Sequence, residues 1–248
     1  MAFLRTKKYS TDVAMTLLEN YFIFLQKHPK MFSLNDDATN KRIKELYDSK
    51  VVFPLTPRDE KGRRGFLIQL KYINAKTINI TDLNALSFRS SFYMLEEEET
   101  QIAGIFYMID FSDTNMSELF CKISLLELKE MCESIVHSMP GRFKGIYLIN
   151  VPQAAQFLVE IIKLTASKKL RDRIILLKNH NEFKNHFSMK IMPKELGGEI
   201  PEAEMIEEFR GIMKQNEEAN KMIYDFKIDS NEMFQFEKPG SFRTLNID

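Results

Sequence analysis

Short apolar runs alternate with helix-length segments along the middle of the chain, and this alternation limits the folds open to it. "GIFYMID", which ends at Asp110, "GIYLIN", which ends at Asn150, and "RIILL", which begins at Arg173, are rich in β-branched and aromatic residues. Segments long enough for a helix separate them. Such alternation is typical of βαβ units, because parallel neighbours need a long crossover connection. We therefore predict an α/β fold with a mostly parallel sheet.

Further elements flank the predicted parallel strands. "TDVAMTLLENYFIFLQKHP" has the apolar spacing of a helix and ends at Pro29, and "VVFPLTPRDEKGRRGFLIQLKY" shows two β-like runs around a turn-rich connection. The first pattern predicts an amphipathic helix and the second a hairpin. Helical spacing also predicts helices at about residues 81–97, 117–137 and 202–222, and the last of these leads into an irregular tail.

The composition of the chain limits the kinds of function that the protein can have. Thirty-five basic residues balance 35 acidic ones, so no global field recruits nucleic acid, and an electrostatic partner must bind a local patch. No apolar run is long enough to span a membrane and no secretory signal opens the chain. Cys121 and Cys132 are about 16 Å apart along a predicted helix, too far for a disulfide. We expect a cytoplasmic protein.

The sequence lacks the common signatures of catalysis and metal binding. There is no glycine-rich phosphate loop, no G-x-S-x-G elbow and no H-E-x-x-H. His180 and His186 have a spacing that fits neither one helix face nor alternate strand positions, so no metal site is predicted there. Glu96 to Glu99 are interpreted as a solvated helix end. We predict no catalytic residue and no cofactor.

Four stretches, in order between Phe3 and Glu199, carry a family resemblance: "FLRTKKYSTDVAMTLLENY", "EEETQIAGIFYMIDF", "MPGRFKGIYLINVP" and "IMPKELGGE". Together they resemble the CRAL-TRIO lipid-transfer family of alpha-tocopherol transfer protein and cellular retinaldehyde-binding protein, and favour the tocopherol-transfer branch. The resemblance implies a mixed sheet that floors a lipid cavity, closed by a mobile lid helix at about residues 152–169.

The resemblance also divides the chain. Residues 1–46 are expected to be the remnant of an N-terminal helical module with a linker helix, 47–200 the lipid-binding domain, and 201–248 a C-terminal helix and tail. In the family a helical module precedes the FLR motif, and because the motif begins at Phe3 we expect only a remnant of that module here. Leu164 stands where the family lid has proline, so we expect a different hinge, and Gly141 replaces a glutamate of the phosphatidylinositol-transfer branch, which favours an isoprenoid-like cargo.

The expected lid is strongly apolar and runs into a dense basic cluster. A lid must bury apolar residues when shut and present others to a bilayer when open, so Phe157 and Leu164, seven residues apart, are expected to contact the membrane. A core helix with a solvated basic end is the alternative. Periodicity and family position together predict these lipid-pocket residues: Phe88, Phe92, Ile105, Tyr107, Phe143, Ile146, Leu158 and Ile162.

By resemblance, basic residues from three segments bind a phosphoinositide headgroup. A phosphate cluster needs converging donors, and arginine binds phosphate bidentately. The matching positions are Arg5, Arg142, Lys144, Lys163, Lys169 and Arg173.

The resulting hypothesis is a monomeric carrier that moves a tocopherol-, retinoid-, carotenoid- or sterol-like molecule between membranes. It associates with phosphoinositide membranes peripherally and transiently. One alternative is a phosphoinositide-binding trafficking adaptor without obligatory cargo. Another is a lipid-modifying enzyme, for which Glu99 or Asp110 would be required.

Overall fold

The computed structural model describes residues 1–29, 37–74, 80–120, 137–165 and 168–225. Cys121, Cys132 and the tail from residue 226 lie outside these ranges, as does most of the helix expected at 117–137. The helices are α1 (Ala2–Thr6), α2 (Thr11–Lys27), α3 (Asp37–Asp48), α4 (Ile80–Met94), α5 (Glu98–Ala103), α6 (Met116–Phe120), α7 (Gln153–Thr165), α8 (Lys168–Arg171) and α9 (Glu202–Asp225). The strands are β1 (Val52–Pro54), β2 (Arg64–Gln69), β3 (Ile105–Asp110), β4 (Phe143–Ile149) and β5 (Ile174–Leu177), and 3-10 turns occupy Leu70–Tyr72, His180–Asn185, Met189–Ile191 and Lys194–Leu196.

The five strands form one sheet in the order β1-β2-β3-β4-β5. β1 pairs antiparallel with β2, and all other pairs are parallel. Both the hairpin and the mostly parallel sheet predicted from the sequence are confirmed. Since parallel crossovers are right-handed, a sequential order puts every crossover on the same face of the sheet. In the strand register that face carries Phe66, Tyr107 and Ile146, and we call it the helix face.

The opposite face of the sheet carries Phe106 and Tyr147, and we call it the tail face. Phe187, which follows the 3-10 turn after β5, stacks on Phe106 at 4.7 Å between ring centroids and meets Tyr147 edge-on at 4.7 Å. The segment after β5 therefore covers this face. α9 lies at the β1 end of the sheet, where Phe209 contacts Tyr47 of α3. Within the described residues, no helix has the length and apolar character needed to cross a bilayer.

The end of the helix expected at 81–97 differs in detail from the sequence prediction. The helix predicted at 81–97 ends at Met94, and α5 begins separately at Glu98. Between them, Glu97 accepts hydrogen bonds from Arg58 at 2.7 Å, Arg64 at 2.7 Å and Thr100 at 2.6 Å. Burial alone would raise the pKa of Glu97, but these bonds and charges outweigh it and lower the pKa. Glu97 is thus a structural ion-pair partner, whereas Glu96, Glu98 and Glu99 are exposed.

The "IMPKELGGE" stretch closes a tight loop in which its two glycines have different roles. Gly197 ends the 3-10 turn with a φ of +93°, a left-handed conformation that favours glycine. Gly198 approaches the chain so closely that an added Cβ would lie 1.6 Å from the carbonyl oxygen of Met192. The amide of Lys194 donates to the carbonyl of Ile200 at 2.7 Å and completes the loop.

Substitution by alanine is expected to change the free energy of unfolding in opposite directions at Gly198 and Gly211. Gly198→Ala forces a backbone collision, so we expect a loss of about 3 kcal/mol or more in the free energy of unfolding. Gly211 is exposed in α9, and an added Cβ there meets nothing within 4 Å. Gly211→Ala should therefore raise stability by about 0.5–1 kcal/mol. Denaturant unfolding of the two variants checks both signs, and equal effects would contradict the loop geometry.

Candidate functional site

An aromatic ladder forms the centre of the helix face. Tyr107 of β3 stacks on Phe66 of β2 at 5.3 Å and on Phe143 of β4 at 5.4 Å, with interplanar angles of 24° and 18°. Phe88 of α4 belongs to the apolar cluster that Phe143 packs against, and Ile105 is fully buried beside Tyr107. The structure thus brings Phe88, Ile105, Tyr107 and Phe143 to one region between α4 and the sheet.

The helix expected to be a lid covers the neighbouring part of the helix face. Val159 of α7 packs with Leu148 and Ile174, and Ile146 and Ile162 lie at the border of the same cluster. Among the α7 side chains that the structure describes, Ala155 and Val159 are buried, whereas Leu158 is half-buried beside them. The buried side of α7 is thus centred on Val159, one residue from Leu158, which helical spacing predicted to face the cavity. Only the backbone of Phe92 is described.

The outward surface of α7 carries two large exposed apolar side chains. Phe157 is 68% exposed and Leu164 is 76% exposed, and both point away from the buried Val159. Leu164 occupies the last turn of α7, which ends at Thr165, and a separate helix, α8, begins at Lys168. Since burying exposed apolar surface is favourable, this side of α7 is suited to a further apolar contact.

A cationic pocket of about 390 Å³ opens where the turn between α1 and α2, the approach to β4 and the end of α8 meet. No acidic side chain lines it within the described part of the chain. Three of the six predicted phosphate-binding cations converge here, and two further lysines join them. Its lining is Thr6, Lys7, Lys8, Met139, Gly141, Arg142, Phe143, Lys144, Leu170 and Arg173.

Two other predicted cations, Arg5 and Lys163, lie outside the lining of the cationic pocket. The Arg5 side chain binds Gln101 at 2.5 Å and also Glu98, and its carbonyl accepts a hydrogen bond from Arg142 Nε at 3.1 Å. Arg5 therefore ties α1 to α5 and helps to hold the pocket wall. On α7, Lys163 lies 3.5 Å from Glu160. The side chain of Lys169 is not among those described.

Arg173 is a half-buried cation of the pocket. It donates to the carbonyl oxygen of Phe143, and burial lowers the pKa of its guanidinium. Among the described residues no carboxylate pairs with it. A buried cation is stabilised by a nearby negative charge, so a phosphate in this pocket would offset the desolvation of Arg173.

A second, open pocket of about 630 Å³ lies at the carboxyl ends of the parallel strands, the edge where open α/β sheets bind ligands. Here the carboxylate of Asp110 lies 2.8 Å from His180 Nε2 and accepts a hydrogen bond from Ser112 Oγ at 2.6 Å. Asn150 Nδ2 in turn donates to Ser112 Oγ at 2.6 Å. No group of described histidine, cysteine and acidic side chains is arranged to hold a metal ion.

This polar network supports the start of α7. Asn150, whose φ is +54°, directly precedes the "VP" pair that leads into the helix. Sequence reasoning missed the network because Asp110 and His180 are 70 residues apart, and only the parallel alignment of β3 and β5 brings their ends together. Burial alone would raise the pKa of Asp110, but hydrogen bonds from His180 and Ser112 outweigh it and lower the pKa.

Because its pKa is lowered in the fold, ionised Asp110 stabilises the protein at neutral pH, and this contribution disappears as the pH falls below the ordinary carboxyl pKa of about 4. Asp110→Asn should cost about 1–3 kcal/mol at neutral pH and much less in acid. Asp113→Asn is the control, since Asp113 is exposed and its φ of +54° suits asparagine. Denaturant unfolding at neutral and acidic pH measures both; an equal loss for Asp110→Asn at the two pH values would contradict the network.

Comparison with known proteins assigns the chain to a family. It is 29% identical to rat (Rattus norvegicus) Clavesin-1 over 206 residues, covering 83% of this chain and 58% of that protein. It is 28% identical to human (Homo sapiens) Clavesin-2 over 206 residues, covering 83% and 62%. The chain thus spans about three fifths of the length of these relatives.

A crystal structure of Sfh5 shares the fold, with a TM-score of 0.55 at 9% sequence identity, covering 75% of this chain and 67% of that one. The profile of the CRAL/TRIO domain matches residues 48–198, well over half of the 248 residues. The chain therefore belongs to the CRAL/TRIO family, whose members generally bind and transfer lipids.

Proposed function

We propose that this protein is an intracellular carrier that holds a hydrophobic small molecule between the helix face and α7 and transfers it between membranes, with a phosphoinositide assisting the opening of α7. The tocopherol, retinoid, carotenoid and sterol classes fit the apolar surroundings. The observation that carries the proposal is the position of Phe143, which stacks on the aromatic ladder and also lines the cationic pocket.

The helix face supports the cargo. Phe143, Ile146, Leu158 and Ile162 are only half-buried, so part of the apolar surface of each remains accessible. A ligand that buries roughly 500 Å² of apolar surface gains about 12 kcal/mol before the costs of ordering are subtracted. Such a molecule leaves water readily but needs a trigger to leave the protein.

The cationic pocket supports the trigger. Its five cations line a concave site without a described acidic side chain, and Arg173 is half-buried there. Each lysine or arginine near an anionic membrane surface contributes about 1 kcal/mol. A polyphosphorylated headgroup satisfies several of them at once, since phosphate oxygens accept from both lysine and arginine.

Coupling between the two sites follows from shared residues. Leu170 and Arg173 bring the end of α8, just beyond α7, into the lining of the cationic pocket. Arg173 also donates to the backbone of Phe143, which belongs to the ladder. A headgroup that moves these residues acts on the end of α7 and on the cargo floor together. By thermodynamic linkage, cargo must then alter phosphoinositide affinity by the same factor.

Native mass spectrometry of protein purified from its own source, followed by organic extraction, tests the carrier directly. A stoichiometric lipophile establishes the carrier and identifies its cargo. Protein that carries no lipophile, yet binds phosphoinositide vesicles identically with and without added lipophile, would instead support the adaptor and overturn the carrier.

Lys144→Gln should weaken binding to phosphatidylcholine vesicles that contain a phosphatidylinositol bisphosphate by about fivefold, since one cation near the surface is lost. Vesicle co-sedimentation measures the change. Lys184→Gln is the matched control, because Lys184 is exposed on the 3-10 turn after β5, away from the cationic pocket. Equal binding by both variants would remove the pocket from the proposal.

The outward residues of α7 should govern transfer. Replacing Phe157 and Leu164 together by serine removes exposed apolar contacts, so we expect the rate of transfer between vesicles to fall about tenfold, with little change in thermal stability. Tyr72→Ser is the control, since Tyr72 is 40% exposed on a different part of the surface. A fluorescent lipophile reports the rate; wild-type transfer by the double variant would show that α7 does not contact the bilayer.

A further inference from the structure

The turn between α1 and α2 has an unusual backbone. Lys8 has a φ of +53° and Tyr9 a φ of +65°, so two consecutive residues with side chains adopt the left-handed conformation. Their amides cap α1, with Tyr9 N donating to Leu4 O at 2.8 Å and Lys8 N to Arg5 O at 3.3 Å. This is the hydrogen-bond pattern of a Schellman motif, in which the position of Lys8 is normally glycine.

Left-handed backbone is strained for a residue with a side chain, and most of all for a bulky one such as tyrosine. Glycine at either position would relieve the strain without changing the hydrogen bonds of the cap. The chain instead places a cation and an aromatic ring there. Strain kept at a position where glycine is available points to a use for the side chains.

Both side chains are exposed, and that of Lys8 lines the cationic pocket. The adjacent Tyr9 is 59% exposed. Exposed apolar side chains also occur at the start of α1 and on α2 and α5, the helices that contact α1: Met1 is 69%, Met15 57% and Ile102 53% exposed. The carbonyl of Ile102 accepts from Arg142 of the pocket at 3.0 Å, so the exposed Ile102 lies at the border of the cations.

We propose that the Lys8–Tyr9 turn is a second membrane contact, separate from α7, that docks on a phosphoinositide-containing bilayer. Lys8 adds a cation to the phosphate site, and Tyr9 enters the interfacial layer, where tyrosine places its ring among lipid and its hydroxyl in water. The inference rests on the proposed function of the cationic pocket. A cation, a ring and an apolar border beside a phosphate site complement an anionic lipid surface in both charge and polarity.

The turn and α7 then lie on two sides of the headgroup site. α8 and Arg173 separate the pocket from α7, and the turn forms the other wall. Two linked contacts bind more tightly than either alone, because the second forms at high effective concentration. They also fix the orientation in which the protein meets the bilayer.

Glycine substitution removes each side chain while the turn keeps its left-handed backbone. Lys8→Gly and Tyr9→Gly should each raise the thermal midpoint by about 2 °C, because glycine adopts this conformation without strain. Both should bind vesicles of phosphatidylcholine with a phosphatidylinositol bisphosphate about fivefold more weakly. Lys8→Gly should also weaken binding of soluble inositol trisphosphate, whereas Tyr9→Gly should affect vesicles alone.

Tyr9→Trp gives a direct reporter, because the chain contains no tryptophan. Its emission should shift to shorter wavelength on these vesicles and be quenched by brominated acyl chains. Tyr72→Trp is the control, which should show neither effect. Suppose that the emission of Tyr9→Trp does not change on vesicles, although Lys144→Gln still weakens vesicle binding. This result would overturn the second contact and leave the proposed function standing. Vesicle binding unaffected by Lys144→Gln and by both glycine variants would overturn both.

Discussion

Sequential strand order combined with right-handed crossovers governs the arrangement of the whole molecule. From β2 to β5 the strands are neighbours in the order of the chain, and the described crossover helices α4 and α7 both pack on the helix face. The tail face must then be covered by other parts of the chain, and the segment carrying Phe187 covers it. α7 is itself the crossover from β4 to β5. Any movement of α7 therefore takes place between two strands that remain in the sheet.

Phe143 connects the apolar and charged halves of the proposed site. Its ring extends the ladder begun by Phe66 and Tyr107, its surface lines the cationic pocket, and its carbonyl binds Arg173. Interiors are packed closely enough that a displaced side chain must be accommodated by its neighbours. A change at the headgroup site therefore reaches the helix face through direct contact. The Asp110 network is the counterpart at the other end of α7.

Local patterns predicted the elements, whereas the contacts between distant elements could not be predicted in the same way. Strand composition and spacing predicted β3, β4 and β5, since these features depend on neighbouring residues. Pairing of Glu97 with Arg58, and of Asp110 with His180, depends on which strand ends meet. Lys7 and Lys8 gave no signal, because a lysine in a turn looks the same whether it faces solvent or a pocket. Val159 was missed because helical spacing fixes a face only to within a residue.

The cationic pocket belongs to a chain with 35 basic and 35 acidic residues, so the molecule has a directional field without a net attraction. A membrane beyond the screening length of about 10 Å does not draw such a protein towards it. Close to the surface, the uneven charge exerts a torque that turns the pocket towards the headgroups. Charge thus contributes little to the frequency of encounters and mainly prolongs those that begin in the right orientation. For the proposed carrier, which must leave each membrane it visits, short-range attraction of this kind permits departure as well as arrival.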